Sequence, residues 1–344
     1  MNVSSQVGAR IANASLVAAV AVAFLHFGVE SGQADVATPV RMLLRDFSRF
    51  AVPYFFLVSG FLFAGHVGET GWWRRETVKR LRTLLVPYLA WSALFGLFML
   101  AAVAVPELRK TQAFDVSAWW RAKRLLIPGL DLCEPPLLLP LWYLRTLLLL
   151  VGVSGVLVGL LRRAPRLTLS LFGFVYLAYS VVVDRYPELA AYGAVSLLRQ
   201  TLSPEALFFF SAGLWLRGRA VVEKRMRAWP FLVVAVGLLV LRQLVVVPYA
   251  PVVPYALVVP FALVGVWRAV PEAPWPRALT SLAFPVYLVH YFIVILLVRS
   301  CPDAFASGLR FAIAASGVVV GSLIVGGALR RLPSPFVAIL FGGR

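Results

Sequence analysis

Residues 46–91 read DFSRFAVPYFFLVSGFLFAGHVGETGWWRRETVKRLRTLLVPYLAW, and this stretch decides the fold. Its first apolar run, 50–67, has about 18 residues, which at ~1.5 Å per residue is enough to cross a bilayer. A short segment dense in cations follows from Trp72 to Arg82, and a second apolar run begins at Thr83. The pattern predicts two membrane-spanning helices with a patch of positive charge held at the membrane surface between them.

This basic patch has two interpretations. Its cations are Arg74, Arg75, Lys79, Arg80 and Arg82. Under the positive-inside rule, Lys and Arg simply mark the cytoplasmic side of the membrane. Alternatively, cations three positions apart, such as Lys79 and Arg82, share one helix face and suit the phosphate groups of an anionic ligand. The residues alone leave both interpretations open.

The composition of the whole chain is that of an integral membrane protein. Of its 344 residues 61% are hydrophobic and 14% are charged, and the mean hydropathy is +0.85. A soluble domain would be about half apolar and about a quarter charged. The net charge is +18, and the cationic residues lie at the ends of the apolar runs. It therefore favours membrane orientation and contact with lipid headgroups over nucleic-acid binding. We expect one transmembrane domain over residues 1–344.

The apolar runs predict an all-α fold of about ten transmembrane helices. They fall at 12–29, 50–67, 83–105, 137–161, 167–183, 201–216, 229–247, 252–267, 279–298 and 308–329. With the N-terminus inside, every inner segment beyond the first span contains at least two Lys or Arg residues. The positive-inside rule therefore predicts that both termini are cytoplasmic.

The segments predicted to lie outside carry little chemistry. The longest, 106–136, is either a solvated loop on the lipid or a surface helix carrying Trp119 and Trp120 with Lys123 and Arg124. Cys133 and Cys301 are too few for a disulfide framework or a metal site. They either form one disulfide or remain two separate thiols.

Several ionisable residues fall within the predicted spans, where they are costly and therefore candidate functional residues. At ~1.5 Å per residue, His26 lies about 21 Å above the inner end of its span and His290 about 17 Å above that of its own. The others in the outer half of the membrane are Asp46, Arg49, Arg145, Glu205 and Arg242. We expect these side chains to share a water-accessible cavity. Imidazole would serve there as a general base and guanidinium as the stabiliser of an oxyanion.

These residues also have structural interpretations. His290 could be a packing residue among the aromatic side chains of VYLVHYF. Arg145 could form an ion pair with Glu205, and Arg242 could extend to the outer surface. Ser59-Gly60 resembles part of a nucleophile motif, but small residues in spans usually allow close helix packing, and we prefer that interpretation.

The sequence contains no Gly-rich phosphate loop, no H-E-x-x-H, no Cys/His cluster and no nucleic-acid-binding module. The scattered His, Asp and Glu residues predict no metal site.

Five segments together resemble a known family. They are RFAVPYFFLVSGFLF (49–63), KRLRTLLVPYLAWS (79–92), LWYLRTLLLL (141–150), FFFSAGLWL (208–216) and SLAFPVYLVHYFIV (281–294). In this order they resemble the bacterial acyltransferase family 3 membrane proteins, which O-acylate surface polysaccharides. The resemblance implies about ten spans in the bacterial inner membrane. It also implies an acyl group, acetyl above all, taken from cytosolic acyl-CoA and passed to an acceptor at the outer face.

The resemblance also assigns residues. His26 corresponds to the histidine late in the first span, taken as the general base. Lys79-x-x-Arg82, with Arg80 between, corresponds to the family's Arg-x-x-Arg, taken to bind the phosphates of CoA. The family usually has Arg or Lys eleven residues before the histidine, where this chain has Ser15. This departure puts donor binding in doubt unless another cation, such as Arg10, takes its place.

The sequence therefore predicts acyl transfer across the membrane. His26 removes a proton from an acceptor hydroxyl, and Arg145 or a neighbouring residue stabilises the oxyanion. The residues assigned to the acceptor side are Arg49, Trp142, Glu205 and His290. The expected partners are acyl-CoA as donor substrate, a glycan or lipid-linked glycan as acceptor, and membrane lipids. The sequence leaves open whether the chain also forms an oligomer. We expect neither a metal cofactor nor nucleic acid.

Two alternatives remain open at this stage. The same architecture could export a small polar or lipid-linked substrate without acyl transfer, because broken helices and charges in mid-membrane also occur in transporters. The sequence shows no inverted repeat, which argues against a transporter. A sensor or scaffold that kept the fold and lost catalysis is the other alternative, and Ser15 is the residue that favours it.

Overall fold

The computed structural model describes residues 4–30, 45–104, 136, 138–186, 198, 201–217, 219, 226–247, 250–251, 253–300 and 308–342. The proposed outer surface helix with Trp119 and Trp120 lies outside the described residues, as do Lys123, Arg124 and the two cysteines, Cys133 and Cys301.

The described residues are almost entirely helical. The helices are α1 (Ser5–Glu30), α2 (Ala51–Phe63), α3 (Trp72–Arg80), α4 (Val86–Ala104), α5 (Trp142–Arg163), α6 (Pro165–Arg185), α7 (Pro204–Leu216), α8 (Trp229–Leu244), α9 (Tyr255–Ala269), α10 (Arg277–Thr280), α11 (Ala283–Ser300), α12 (Gly308–Leu329) and α13 (Ser334–Phe341). Short 3₁₀ turns cover Ser48–Phe50, Ala64–His66 and Leu139–Leu141, and one π-helical turn covers Leu81–Leu85. Two-residue strands, β1 (Val246–Val247) and β2 (Ala250–Pro251), pair antiparallel.

Each of the ten predicted apolar runs overlaps one of these helices. In the described part of the chain, five are long and apolar enough to cross a membrane: Ser5–Phe27, Arg45–Phe63, Leu139–Arg163, Pro165–Arg185 and Ala312–Leu329. Four shorter apolar helices accompany them: Pro204–Leu216, Trp229–Leu244, Tyr255–Ala269 and Ala283–Leu297. The protein is therefore an all-helical, multi-pass membrane protein. The number of crossings and the cytoplasmic location of both termini stay predictions.

The closest helix packing is between α2 and α7. A Cβ atom added at Gly60 would collide with the carbonyl oxygen of Phe210, and one added at Gly213 would collide with that of Leu57. The two backbones therefore touch, as small residues allow in membrane helices. For Gly60, the structure confirms the interpretation that the small residues of Ser59-Gly60 allow close helix packing.

Helix α1 packs against α2, α11 and α12 through small side chains such as Ala18, Ala19 and Ala23, which are fully buried. Near its N-terminal end, the buried side chain of Asn13 fixes the loop after α9. Its Nδ2 donates to the carbonyls of Pro271 and Ala273, and its Oδ1 accepts from the backbone of Trp275. These bonds hold α1 against the rest of the bundle.

The C-terminal helix α13 closes over α4 and the π-helical turn. The indole of Trp91 donates to the carbonyl of Leu340 at 2.9 Å. Gly342 then turns the chain with φ of +65°, and an added Cβ would collide with the carbonyl of Thr83. Only glycine satisfies both the left-handed backbone and the close approach.

Candidate active site

Two imidazole rings meet where α1 packs on α11. The ring centroids of His26 and His290 lie 5.2 Å apart at an interplanar angle of 40°. The rings of Tyr291 and His26 form a T-shaped contact, with 5.3 Å between their centroids. His26 is partly exposed, whereas His290 is fully buried. The structure therefore brings together the two histidines that the sequence assigned to the first and ninth spans.

The hydrogen bonding of His290 leaves one of its nitrogen atoms for other chemistry. Its Nδ1 lies 3.2 Å from the carbonyl oxygen of Val286, one turn earlier in α11. A carbonyl only accepts, so this contact favours the tautomer with the proton on Nδ1. The Nε2 atom is buried and has no hydrogen-bond partner among the described residues. Buried polar atoms are normally paired. The lone pair on Nε2 is therefore available to a hydrogen-bond donor from a ligand or from water.

A row of aromatic side chains continues from the histidines into the bundle. The rings of His290 and Tyr287 lie 6.1 Å apart, and those of Tyr287 and Tyr143 lie 5.6 Å apart. The Tyr143 hydroxyl lies 3.0 Å from that of Ser59, and the Tyr287 hydroxyl donates to the carbonyl of Pro140. We did not predict these tyrosines as site residues. Tyr287 stands three positions before His290, and this spacing on a helix face could have indicated it.

Arg145 is buried in α5, with 4% of its surface exposed, and interacts electrostatically with Tyr88 of α4. Trp142, one turn earlier, is partly buried, and its ring lies 6.0 Å from that of Phe56.

Asp46 is the centre of a second polar group, which we call the Asp46 cluster: Asp46, Arg49, Tyr176, Asp184, Glu205, Arg242 and Tyr255. The Asp46 carboxylate accepts from Arg45 at 2.9 Å and from Gln243 at 2.9 Å, and Arg49 lies 3.7 Å from it. The guanidinium of Arg49 also lies 4.0 Å from the ring centroid of Tyr255.

Glu205 and Arg242 have partners in this cluster that we did not predict. The carboxylate of Glu205 lies 3.4 Å from the Tyr176 hydroxyl and interacts electrostatically with Arg49. The suggested pair of Arg145 with Glu205 is therefore wrong, because these two partners account for Glu205 within the described chain.

The suggestion that Arg242 extends to the outer surface is also wrong. Its side chain is 7% exposed and forms two hydrogen bonds of 2.8 Å with Asp184. It also donates to the carbonyl of Val253. A buried guanidinium with a carboxylate partner has no reason to leave the bundle, because its charge is already compensated. Among the described residues, contacts join Asp46, Arg49, Glu205 and Arg242 in one group and His26 and His290 in another, and a cavity shared by all of them stays a prediction.

The basic patch is built on α3 and the π-helical turn. Glu76 is buried, and its carboxylate lies 3.6 Å from the Lys79 amine and 3.7 Å from Arg80. Arg82 lies within the π-helical turn and is exposed. Such turns occur often at functional sites and change the rotation between neighbouring side chains. Lys79 and Arg82 are therefore not spaced as on a regular α-helix.

Ser15, the departure from the family pattern, belongs to a hydroxyl cluster. Its Oγ donates to the carbonyl of Ile11 at 2.7 Å and lies 3.3 Å from the Tyr54 hydroxyl, which also donates to Ile11. Arg10, the suggested replacement cation, is buried and lies 2.5 Å from the carboxylate of Glu272. Its charge is therefore already balanced by a carboxylate.

Among the described residues, no group of three or more His, Cys, Asp or Glu side chains could hold a metal ion. The arrangement instead offers an imidazole pair, of which one nitrogen is unpartnered, and a separate surface rich in cations. This combination suits proton transfer at one place and anion binding at another.

Comparison with known proteins agrees with this chemistry. No curated protein and no solved structure matches the chain. The family described as an acyltransferase domain, acyltransferase family 3, matches residues 16–327, which is nearly the whole chain. The protein therefore belongs to the acyltransferase family 3 of membrane proteins.

Proposed function

We propose that the protein is an O-acetyltransferase that takes the acetyl group from cytosolic acetyl-CoA. The acceptor is a hydroxyl of a glycan or lipid-linked glycan at the outer face of a bacterial inner membrane. The family supports acyl transfer in general. The donor, the acceptor and the residue roles given below are our inference.

In the proposed reaction, His26 acts as general base on the acceptor hydroxyl. Nε2 or Nδ1 of the imidazole takes the proton, while the hydroxyl oxygen forms a bond with the carbonyl carbon of the thioester. The tetrahedral intermediate then expels the CoA thiolate, which takes the proton from the imidazolium as the C–S bond breaks. General base catalysis of this kind contributes about 10²–10⁴-fold to the rate.

His290 is proposed to position the acceptor. Its unpartnered Nε2 can accept a hydrogen bond from a second hydroxyl of the acceptor molecule. The ring centroids of His290 and His26 lie 5.2 Å apart. A glycan offers several neighbouring hydroxyls, which suits two acceptors at this separation. Neutral imidazoles are required for both roles, since only the neutral ring accepts a hydrogen bond.

The other residues are assigned by position. Arg145 is the candidate to stabilise the oxyanion, because it is a buried guanidinium on α5. Trp142 is assigned to the acceptor side from its place at the start of the same helix. In the Asp46 cluster, Arg49 and Glu205 are partly exposed and provide the donor and acceptor groups that a sugar ring binds.

The basic patch is proposed to bind the phosphates of acetyl-CoA. Glu76 neutralises one charge near Lys79 and Arg80, but Arg82 is exposed and Arg74 is also exposed. The patch therefore keeps an excess of positive charge for an anionic donor. No cation at the position of Ser15 is needed if these residues bind the phosphates.

The observation that carries the proposal is the imidazole pair with one buried, unpartnered nitrogen. It is tested with the purified protein, acetyl-CoA labelled in the acetyl group and a panel of bacterial surface glycans. We expect label on a glycan with the wild-type protein and no transfer above background with His26→Ala. His66 is the one histidine of the three in the sequence to which we assign no role, so His66→Ala is the matched control and should transfer as the wild type. Full transfer by His26→Ala would overturn the assigned role. Glycan uptake into vesicles without acetyl-CoA would support an exporter instead.

A further inference from the structure

An open groove of about 550 Å³ lies where α6 begins and α7 ends. Among the described residues, its wall combines two arginines and an indole with apolar side chains and contains no carboxylate: Ala164, Pro165, Arg166, Leu167, Trp215 and Arg219. None of these residues belongs to the imidazole pair, the Asp46 cluster or the basic patch. The groove is therefore separate from the residues that we assign to acetyl transfer.

Antiparallel packing of α6 on α7 forms this groove. The rings of Tyr176 and Phe208 stack within the contact, with 5.9 Å between their centroids. Arg166 precedes Tyr176 in α6, whereas Trp215 follows Phe208 in α7, and both line the groove. The groove therefore lies at the end of the bundle where α6 begins, which the positive-inside rule predicts to be the cytoplasmic surface of the membrane.

The two guanidiniums of the groove, Arg166 and Arg219, are exposed. The ion pairs in the described part of the chain all involve other residues. The Arg219 guanidinium lies 4.6 Å from the ring centroid of Trp215. This contact with the ring orients the cation and leaves its net charge in place. The groove therefore presents two positive charges that an anionic group can bind.

An apolar stripe continues from the groove along α6. Leu167, which is part of the groove wall, is 71% exposed, and Leu171 and Phe174 are 53% and 68% exposed. Spacings of four and three residues place these side chains on one helix face. Helix α6 is long and apolar enough to cross a membrane, and only 11% of its apolar stretch is buried inside the described protein. The stripe is therefore a lipid-facing surface that begins at the two arginines.

We propose that the groove binds the headgroup of an anionic phospholipid. The lipid phosphate lies between Arg166 and Arg219, and one acyl chain lies along Leu167, Leu171 and Phe174. A soluble phosphate compound such as CoA would neutralise the arginines but leave the apolar stripe uncovered, which is why the groove fits a lipid better. A zwitterionic phospholipid with the same chains carries no net negative charge and binds less tightly.

The test is a titration of the purified full-length protein in detergent, followed by native mass spectrometry. The probes are phosphatidylglycerol and phosphatidylcholine with identical acyl chains, acetyl-CoA and inorganic phosphate. We expect the first phosphatidylglycerol to bind about tenfold more tightly than phosphatidylcholine, because two basic side chains attract its net charge. Neither acetyl-CoA nor inorganic phosphate should displace it. Equal affinity for the two lipids, or displacement by either soluble compound, would overturn the proposal.

A double variant tests the headgroup contact. Arg166→Gln combined with Arg219→Gln should lower the affinity for phosphatidylglycerol to that for phosphatidylcholine and leave the latter unchanged. The matched control is Arg277→Gln combined with Arg331→Gln, which removes two exposed cations that the sequence predicts on the same side of the membrane. The control should bind as the wild type. An equal loss in both double variants would show general surface charge rather than this groove, and the proposal would fail.

A second double variant tests the acyl-chain contact. Leu171→Ala combined with Phe174→Ala shortens the apolar stripe and keeps both arginines. It should weaken phosphatidylglycerol and phosphatidylcholine by the same factor, so that the preference for the anionic lipid is retained. Unchanged affinity for both lipids would contradict an acyl chain along α6.

Discussion

The ring centroids of His26 and His290 lie 5.2 Å apart, although the two residues are 264 positions apart in the chain. Helix α1 carries His26 and helix α11 carries His290, and small side chains on α1 allow the two helices to pack closely. The carbonyl of Val286 favours the tautomer of His290 with the proton on Nδ1, and the buried Nε2 has no hydrogen-bond partner among the described residues. This relationship is the basis of the proposed mechanism.

Replacing His290 should separate its role from that of His26. If His290 positions the acceptor through Nε2, His290→Ala should raise the KM for the glycan about tenfold and leave the KM for acetyl-CoA unchanged, because one buried hydrogen bond is lost. Initial rates over both substrate concentrations check this. His66→Ala serves as control. A change confined to the KM for acetyl-CoA would be incompatible with an acceptor role.

Removing charge from the basic patch should affect the donor alone. Arg82→Gln should raise the KM for acetyl-CoA about tenfold, because a charge-assisted contact with phosphate is lost. The kcat at saturating donor should stay near the wild-type value.

The same effect should depend on ionic strength. The KM for acetyl-CoA of the wild type should rise with added salt, since exposed charges are screened over ~8 Å at physiological ionic strength. The rise should be smaller in Arg82→Gln. Arg331→Gln, which removes an exposed cation just after α12, is the control and should show wild-type kinetics. If it raised the KM as much as Arg82→Gln, general surface charge would explain the result.

Adding a methyl group at Gly60 should destabilise the bundle. Its Cβ would collide with the backbone of Phe210, which cannot move aside as a flexible side chain would. Overpacking of this kind costs about 1–3 kcal/mol, so Gly60→Ala should lower the unfolding temperature measured by tryptophan fluorescence. Gly237→Ala in α8, where no atom lies within 4 Å of the added Cβ, is the matched control. Equal melting of the two variants would refute close backbone contact of α2 with α7.

Breaking the pair of Asp184 with Arg242 should also be costly. Their side chains are only 14% and 7% exposed, and removing one partner of a buried pair costs about 3–5 kcal/mol. Asp184→Asn and Arg242→Met should each lower the unfolding temperature, and the double variant should recover part of the loss. A double variant no more stable than expected from two additive losses would show that the pair is not coupled.

The sequence predicts the helices well because apolar length is sufficient evidence for a membrane helix. It predicts less well what depends on helix rotation. Residue counting assigned His26 and His290 to one half of the membrane, but only packing shows that both rings face the contact between α1 and α11. Likewise, the sequence indicates that Gly60 is a packing residue, but only the structure shows that α7 is the helix that packs against it.

The polar pairs were harder to predict for the same reason. Arg242 and Asp184 are 58 positions apart on different helices, and nothing in either local pattern indicates the other. The π-helical turn at Leu81–Leu85 was also missed, because LRTLL continues the apolar pattern of an ordinary α-helix. That turn alters the spacing of the basic patch, on which the donor site depends.

The most direct test of the account is transfer across a sealed membrane. The protein is reconstituted in vesicles and sorted by orientation, with labelled acetyl-CoA on the side of the basic patch and the glycan on the other side only. The account predicts label on the glycan with the wild type and His66→Ala, and none with His26→Ala. Label on the glycan only when donor and acceptor share one side, or equal label with His26→Ala, would contradict it.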